Sequence, residues 1–328
     1  IAKSQNHWPS LGFDLGVINS LLAKFLPAGF YYKMFIHPRS FWKYIYEPLI
    51  RMAAGLGSAP KHKDSSKYEH FHAFFDVVVI GGGIAGLIAA KSAASSGKKI
   101  LLIEQSSAWG GRAVVDHEQL DGIPTDKYLQ QLVFELANKK NLTMRTRVMG
   151  AGVYDHGYLI CYERVSDHQP TVASPRHRLW KIRAGRIITA TGAFERPLTF
   201  AGNDLPGVVL ASALRDYVVN YGVSVGQRTV IVTNNDDAYL TAILLRKAAL
   251  DVPMIIDTRL GGAGRILDEV KKLGVRVEFG KAIAKVVGAK RVKKVYICPF
   301  SSDGDDFENI DCDCIAMSGG WSPIVHLW

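Results

Sequence analysis

Residues 76–104 read DVVVIGGGIAGLIAAKSAASSGKKILLIE and predict a strand, a helix and a second strand in succession. The apolar runs at 77–80 and 100–103 show no polar alternation, which is typical of parallel strands covered on both faces of a sheet. The alanine-rich segment between them predicts a helix that ends at Gly97. This strand–helix–strand unit indicates an α/β fold.

The loop after the first strand has the spacing G-x-G-x-x-G, which suits the approach of a dinucleotide. Gly81 allows a tight turn, Gly83 lets a pyrophosphate approach backbone N–H groups, and Gly86 lets the helix pack closely on the strand. The N-terminus of the helix adds a positive dipole end for the phosphates. The predicted cofactor-binding loop therefore comprises Gly81, Gly82, Gly83, Ile84, Ala85 and Gly86.

Glu104 ends the second strand, at the distance from the loop that dinucleotide-binding folds use. A carboxylate at this place accepts hydrogen bonds from the hydroxyls of an adenosine ribose. It also repels a 2′-phosphate. The pattern therefore favours NAD or FAD over NADP.

Two later segments are expected to meet the same cofactor. Gly110 and Gly111 would let the backbone approach a ligand, and Arg112 could bind phosphate or ring oxygens. An ordinary surface turn is the alternative interpretation of this segment. Thr191 and Gly192 follow another apolar strand, which is expected to end beside the glycine loop.

Residues 229–257 predict a second strand–helix–strand unit that aligns with residues 76–104. The glycines of the first loop are absent from it, because Asn234, Asp236 and Tyr239 stand at the corresponding positions. The chain therefore contains a degenerate internal repeat of a nucleotide-binding half.

The second loop carries charges and side chains that oppose a phosphate. Asp236 and Asp237 place carboxylates at the start of the helix, where a pyrophosphate would need a positive environment. We therefore predict that the second unit keeps the fold and has lost dinucleotide binding. Asn234 and Asn235 could instead contact a flavin edge or a partner loop.

The first 75 residues differ from the rest of the chain. They hold 15 of its 33 aromatic residues and are interrupted by prolines, so they show no regular period. Such a segment is expected to lie on another surface, either of this chain or of a partner subunit. The predicted organisation is an aromatic arm at 1–75, a dinucleotide-binding domain at 76–200 with 291–328, and a degenerate lobe at 201–290. Residues 145–190 are expected to contain an antiparallel insertion.

Composition excludes several classes of protein. The net charge of +10 is spread along the chain, and the basic run at 281–294 is interpreted as a solvated strand face, so no nucleic-acid partner is expected. No run of about 20 apolar residues predicts a membrane span. The chain begins at Ile1, not at Met, and is expected to be part of a longer polypeptide.

The four cysteines are too few for a disulfide framework and suit a reducing compartment, so a cytoplasmic location is expected. They form no Cys-x-x-Cys pair, which counts against a disulfide reductase. Cys312 and Cys314 alternate along a strand and should face opposite sides. The histidines lack metal-binding spacing, and no catalytic residue or metal ligand is predicted in this chain.

The glycine loop, Glu104, the segment 110–112 and the segment 190–192 resemble the pyridine nucleotide-disulfide oxidoreductase superfamily. This resemblance implies two tandem Rossmann-like lobes of the glutathione-reductase type. Within the superfamily, the chain is similar to the α subunits of heterotetrameric sarcosine oxidases. The stretches that carry this finer resemblance are SQNHWPS at 4–10, LPAGFYYK at 26–33, YEPLIR at 46–51, GAFERP at 192–197, TNND at 233–236 and SGGWSP at 318–323.

The resemblance implies a fragment that lacks the C-terminal folate-binding domain of those subunits. It implies that the glycine loop holds NAD non-covalently, with FAD, the usual ligand of the superfamily, as the alternative. It also implies partner β, γ and δ subunits, with FAD and a tethered FMN mainly on the β subunit. Sarcosine would be oxidised there, oxygen would become hydrogen peroxide, and the one-carbon unit would pass to tetrahydrofolate.

Three other functions are left open by the sequence. One is the α subunit of a related hydrogen cyanide synthase, opine dehydrogenase or proline dehydrogenase, which would pass electrons to a carrier. Another is a free-standing FAD-dependent NAD(P)H oxidoreductase, which the degenerate second loop counts against. The third is a scaffold that binds NAD only for stability.

Overall fold

A computed structural model describes residues 37–54, 63–171, 173–300 and 308–327 continuously. It also describes residues 9–10, 13–18, 22, 25, 29–30, 33 and 35. The chain divides into two compact units, residues 1–65 and residues 66–328.

Helices and strands alternate through most of the described chain. Its helices are α1 (Arg39–Phe41), α2 (Glu47–Ala53), α3 (Ile84–Ala94), α4 (Ala113–Asp116), α5 (Thr125–Ala137), α6 (Ala211–Tyr221), α7 (Asp237–Lys247) and α8 (Arg265–Lys272). A π-helical turn occupies Trp42–Tyr46 and a 3-10 turn Asp155–Gly157. Its strands are β1 (Tyr68–Ile80), β2 (Ile100–Ile103), β3 (Gln119–Leu120), β4 (Ile123–Pro124), β5 (Leu142–Arg145), β6 (Val148–Tyr154), β7 (Tyr158–Arg164), β8 (His177–Thr189), β9 (Ala193–Glu195), β10 (Val208–Leu210), β11 (Thr229–Thr233), β12 (Met254–Asp257), β13 (Arg276–Phe279), β14 (Lys281–Gly288), β15 (Val292–Pro299), β16 (Glu308–Asp311), β17 (Cys314–Ser318) and β18 (Trp321–Pro323).

The first unit contains α1, the π-helical turn and α2. Aromatic rings contact one another here, because the ring of Phe35 lies 5.6 Å from that of Phe30 and 4.9 Å from that of Tyr46. Tyr44 is 72% exposed. Residues 1–8 and 26–28, which belong to the expected aromatic arm, lie outside the described residues.

β1 begins at Tyr68, before the predicted start of the strand at Asp76, so residues 68–75 belong to a sheet and not to the arm. Phe71 and Phe75 pack into the core, whereas Phe74 points outward and is 67% exposed. Aromatic residues therefore occupy both faces of this strand. For that reason the hydrophobic pattern shows no alternation, although the backbone is extended.

The first sheet has the strand order β5-β2-β1-β8-β7-β6. Strands β5, β2, β1 and β8 run parallel, and β7 and β6 are antiparallel to their neighbours. Helices α3 and α5 pack on one face through Leu87, Leu102 and Leu132. The structure thus confirms the α/β class and the antiparallel strands expected within 145–190. We call residues 68–189 the first lobe.

The second sheet has the order β10-β17-β11-β12-β13, and all its strands are parallel. Helices α6, α7 and α8 pack on one face through Leu214, Ala242 and Val270. The antiparallel strands β14–β16 cover the other face through Val286 and Val295. We call residues 208–318 the second lobe.

Residues 291–328 were expected to join the first domain, but the strand pairing places most of their described part with the second sheet. β15 and β16 pair with β14, and β17 lies between β10 and β11 of the second sheet, with all of its residues buried. β18 alone pairs with β9. A parallel strand reaches its neighbour through a crossover, so its distance along the chain does not reveal its place in the sheet.

Among the described residues, no helix combines the length and the apolar character that a membrane span requires.

Candidate cofactor site

The glycine loop connects the end of β1 to the start of α3, as predicted. A Cβ atom on Gly81, whose φ is +110°, would lie 2.2 Å from the carbonyl oxygen of Ala190. A Cβ on Gly86 would lie 1.8 Å from the carbonyl oxygen of Gly81, so α3 sits directly on the loop. Gly83, in contrast, has open space at its Cβ position. This open side at the N-terminus of α3 is where a phosphate could approach the backbone N–H groups.

The carboxylate of Glu104 is held beside the loop and is 9% exposed. Its Oε2 accepts the backbone N–H of Gly82 at 2.6 Å, and its Oε1 accepts that of Ser106 at 2.7 Å. Each carboxylate oxygen can accept a further hydrogen bond. The backbone therefore orients Glu104 in advance and leaves acceptor capacity for ribose hydroxyls.

The segment after β2 folds back along the glycine loop. The backbone N–H of Gly110 donates to the carbonyl oxygen of Gly82 at 2.8 Å. A Cβ on Gly111 would lie 3.1 Å from the Cα of Gly83. Both predicted glycines therefore border the loop, and their lack of side chains permits the close approach.

Arg112 is placed differently from the other predicted residues. Its guanidinium donates to Asp116 at 2.8 and 3.0 Å and to Asp216 at 2.9 Å. It also lies over the ring of Trp321, 5.6 Å from the centroid. In this structure the side chain therefore joins α4 to α6 through carboxylates, while its expected contact with a cofactor stays a prediction.

Thr191 and Gly192 lie where β8 ends beside the loop. The backbone nitrogen of Thr191 is 3.3 Å from the Cβ position of Gly81. The Thr191 hydroxyl donates to the carbonyl oxygen of Ile324 at 2.8 Å, and the Ile324 N–H donates to Gly192 at 3.0 Å. The backbone of these residues thus borders the site, and their polar groups fix the 321–324 segment.

Trp109 was not singled out by the sequence analysis, although it stands directly before the glycine pair. Ring atoms Cε3 and Cζ3 would lie 2.5 and 2.8 Å from a Cβ atom on Gly82, so the indole edge rests on that glycine. An aromatic residue next to a glycine pair was the available signal. The sequence could not show that the ring turns toward the loop.

In the second lobe, the chain itself occupies the corresponding positions. Asp257, which aligns with Glu104, is fully buried and accepts a hydrogen bond from the Tyr239 hydroxyl at 2.8 Å. Arg259 donates to both carboxylate oxygens of Asp257 and to Asp236 at 2.7 Å. Burial and the neighbouring Asp257 raise the pKa of Tyr239, so its phenol stays a donor. Tyr239 and Arg259 thus hydrogen-bond to the Asp257 carboxylate, which is the group that a bound ribose would need as its acceptor.

The start of α7 is also closed by internal hydrogen bonds. The carboxylate of Asp237 accepts a hydrogen bond from Arg215 at 2.6 Å, and Arg215 is 1% exposed. The amide of Asn235 donates to the Ser318 hydroxyl at 3.0 Å. A cavity of about 320 Å³ lies beside this region, lined by Asp236, Tyr239, Arg259 and residues 262–267.

Three of the four cysteines, Cys161, Cys312 and Cys314, are buried. Cys312 and Cys314 pack into the cores on opposite faces of the second sheet, as predicted. Burial raises the pKa of Cys161 and of Cys312 to about 12 and that of Cys314 to about 11. These thiols are therefore protonated near neutral pH and poor nucleophiles. Within the part of the chain that the structure describes, no cluster of three potential ligands could hold a metal ion.

A glycine loop at the end of a parallel strand, an oriented carboxylate beside it and a second α/β sheet are the features of an α/β dinucleotide-binding fold. Residues 75–327 match the model of the pyridine nucleotide-disulphide oxidoreductase family, and the chain belongs to that family. The resemblance found in the sequence is thereby confirmed at the level of the family.

The finer resemblance is confirmed by curated relatives. The chain is 40% identical over 328 residues to the sarcosine oxidase subunit alpha of Rhizobium meliloti (strain 1021), covering 99% of this chain and 32% of the relative. It is 36% identical over 282 residues to the sarcosine oxidase subunit alpha of Corynebacterium sp. (strain P-1), covering 83% of this chain and 29% of the relative. The chain therefore spans about a third of the length of these relatives.

A solved structure shares the fold. The T. acidophilum thioredoxin reductase superposes with a TM-score of 0.58 at 20% identity, covering 76% of this chain and 78% of that chain. At this identity the likeness shows the fold alone.

Proposed function

We propose that this chain is the cofactor-binding part of the α subunit of a flavin-dependent sarcosine oxidase complex. NAD is the proposed ligand of the glycine loop, and FAD is the alternative. The observation that carries the proposal is the open backbone at Gly83 next to the oriented carboxylate of Glu104. The 40% identity to a sarcosine oxidase subunit alpha supports the choice of complex.

The proposed complex also contains β, γ and δ subunits, with FAD and FMN mainly on the β subunit. Sarcosine, a donor of the CH–NH class, would be oxidised to glycine on that subunit with formation of hydrogen peroxide. Tetrahydrofolate would take the one-carbon unit, and the location would be cytoplasmic. The exposed ring of Tyr44 supports the first unit, residues 1–65, as a subunit interface.

The residues of this chain would bind and orient the cofactor. The backbone N–H groups at the start of α3 would hold the pyrophosphate, and Glu104 would accept the hydroxyls of the adenosine ribose. Gly110, Gly111, Thr191 and Gly192 would border the ligand through their backbone. Bound NAD is a hydride carrier, but within this chain we propose a structural role or an influence on a neighbouring flavin.

The related α subunits of hydrogen cyanide synthase, opine dehydrogenase and proline dehydrogenase are the alternative. Those enzymes would pass electrons to a carrier, so the peroxide yield of the assembled complex with sarcosine separates them from an oxidase.

The first prediction concerns Glu104. Glu104→Ala should weaken NAD binding by about 1–3 kcal/mol, because buried ribose hydroxyls would lose their acceptor. Isothermal titration of the purified protein measures the change. Glu104→Gln keeps one acceptor oxygen and should fall between Glu104→Ala and the parent protein. Equal affinities in all three proteins would place the ribose elsewhere.

The second prediction concerns the second lobe. The assembled complex should not consume NADH under oxygen in the absence of sarcosine. Tyr239 and Arg259 already hydrogen-bond to the carboxylate of Asp257, so this carboxylate cannot accept the ribose hydroxyls of a dinucleotide. The absorbance of NADH at its long-wavelength band follows the reaction. Sustained turnover that disappears in Asn234→Asp, which adds a negative charge to the loop, would show that this lobe binds a working dinucleotide.

A further inference from the structure

The side chain of Trp109 lies at the junction of three parts of the candidate cofactor site. Its own segment runs along the glycine loop, since the N–H of Gly110 donates to the carbonyl oxygen of Gly82 and Gly83 pairs with Gly110. The edge of its indole ring rests on Gly82, as the Cβ position of that glycine is 2.5 Å from Cε3. The position of the ring therefore depends on the conformation of the loop.

The same glycine connects the ring to the proposed ribose ligand. The N–H of Gly82 donates to Oε2 of Glu104, and the Cβ of Glu104 lies 2.8 Å from the same Cβ position that the indole blocks. Trp109 and Glu104 thus flank Gly82 together. A ribose bound to Glu104 would lie within reach of the indole ring.

Trp109 is only partly buried. It packs against the core of the first lobe, and a Cβ on the adjacent Gly110 would meet Leu129 at 2.6 Å, so the segment is firmly seated. The core therefore fixes part of the indole, while its Cε3–Cζ3 edge lies at the Gly82 position that the Cβ of Glu104 also borders. A rigid aromatic surface with an accessible part is suited to contact a sugar or a base.

We propose that Trp109 forms a wall of the adenosine subsite and contacts the adenosine half of the bound dinucleotide. This inference rests on the proposed function, because it needs a dinucleotide at the glycine loop. It does not depend on the choice between NAD and FAD, since both carry an adenosine. Trp109 has two effects in this arrangement: it contacts the ligand, and it fixes Gly82 and thereby Glu104.

The expected contribution of Trp109 to binding affinity follows from the stacking of aromatic side chains on nucleic-acid bases. Aromatic side chains that stack on bases strengthen binding enough that removal of the ring should weaken affinity roughly tenfold. Trp109→Phe retains an aromatic surface and should bind within roughly threefold of the parent protein. Trp109→Ala should show the full loss.

Intrinsic tryptophan fluorescence distinguishes a direct contact of Trp109 with the ligand from an indirect effect through Gly82 and Glu104. The full chain is depleted of bound nucleotide and titrated with NAD and, separately, with FAD. Part of the tryptophan emission should be quenched on binding, and this part should be missing in Trp109→Phe although calorimetry still reports binding. Trp180→Phe is the matched control, because that indole is buried in the other core of the first lobe and should not change the ligand-dependent quenching.

The contact with Gly82 has a test that needs no ligand. Gly82→Ala should lower the melting temperature, because the new methyl group meets the indole and the Cβ of Glu104. Adding Trp109→Ala should recover part of this loss, so that the two changes are less than additive. Strict additivity would show that the indole does not rest on Gly82.

The possible results separate the two proposals. A parent protein that binds neither NAD nor FAD overturns the proposed function, and this inference with it. A parent protein that binds, while Trp109→Phe keeps the full quenching and Trp109→Ala keeps the affinity, overturns the inference alone. Loss of the quenching in Trp109→Phe, with a roughly tenfold loss of affinity in Trp109→Ala, supports both.

Discussion

Gly86→Ala is expected to disturb the packing of α3 on the glycine loop and to weaken dinucleotide binding strongly. The added methyl carbon would lie 1.8 Å from the carbonyl oxygen of Gly81, which is backbone and cannot rotate away. Overpacking of this kind costs about 1–3 kcal/mol of the free energy of unfolding. Displacement of α3 would also remove two or more charge-assisted hydrogen bonds to a pyrophosphate, so affinity should fall roughly 100-fold.

Gly83→Ala is the matched control for this prediction. Gly83 has φ −69° and ψ 178°, which alanine adopts readily, and its Cβ position is open. The melting temperature of Gly83→Ala should therefore stay close to that of the parent protein, while its methyl group obstructs the ligand. Thermal melts and calorimetry with NAD measure both variants. Full NAD affinity in Gly83→Ala would mean that the pyrophosphate lies somewhere else.

Local patterns predicted the parts of the candidate site that local backbone geometry determines. The turn at Gly81, the close packing at Gly86 and the position of Glu104 depend on one continuous strand–helix–strand unit. The spacing within such a unit is set by the lengths of its elements. For that reason the sequence was sufficient to predict the local geometry of these three positions.

Other features depend on residues that are distant along the chain. β17 enters the second sheet between β10 and β11 from near the end of the described chain, and no local pattern shows this. The guanidinium of Arg112 could bind a phosphate, which is what the sequence suggested. In the fold it pairs with Asp216, a residue distant along the chain. The start of β1 was missed because its aromatic residues occupy both faces.

In the second loop, the structure changes the reason for a prediction that itself stays a prediction. Asp236 and Asp237 were expected to repel a phosphate. In the structure their carboxylates are paired with Arg259 and Arg215, so part of their charge is compensated. We therefore attribute the proposed loss of nucleotide binding mainly to occupation of Asp257 by Tyr239 and Arg259. Neither partner could be assigned from the loop sequence alone.

Arg215 joins the two lobes and is the most deeply buried charge between them. It lies on α6 and pairs with Asp237 of α7 at 2.6 Å and with Asp116 of α4 at 3.4 Å. A second guanidinium, that of Arg112, pairs with Asp116 and with Asp216 of α6. Removal of one partner from a buried ion pair leaves an uncompensated charge in a poorly solvated place.

Arg215→Met is therefore expected to destabilise the protein by about 3–5 kcal/mol, because Asp237 and Asp116 lose a common cation while the side-chain volume is nearly kept. The loss should depend little on salt, since buried pairs are weakly screened. Chemical denaturation should in addition show two transitions in place of one, because the lobes lose the buried ion pair of Arg215 with Asp116 and keep more exposed pairs such as that of Arg112 with Asp216. Lys271→Met changes an exposed cation of α8 and should alter stability by no more than about 0.5 kcal/mol. A single transition with parental stability in Arg215→Met would show that the lobes are held together by other contacts, such as the ion pair of Arg112 with Asp216.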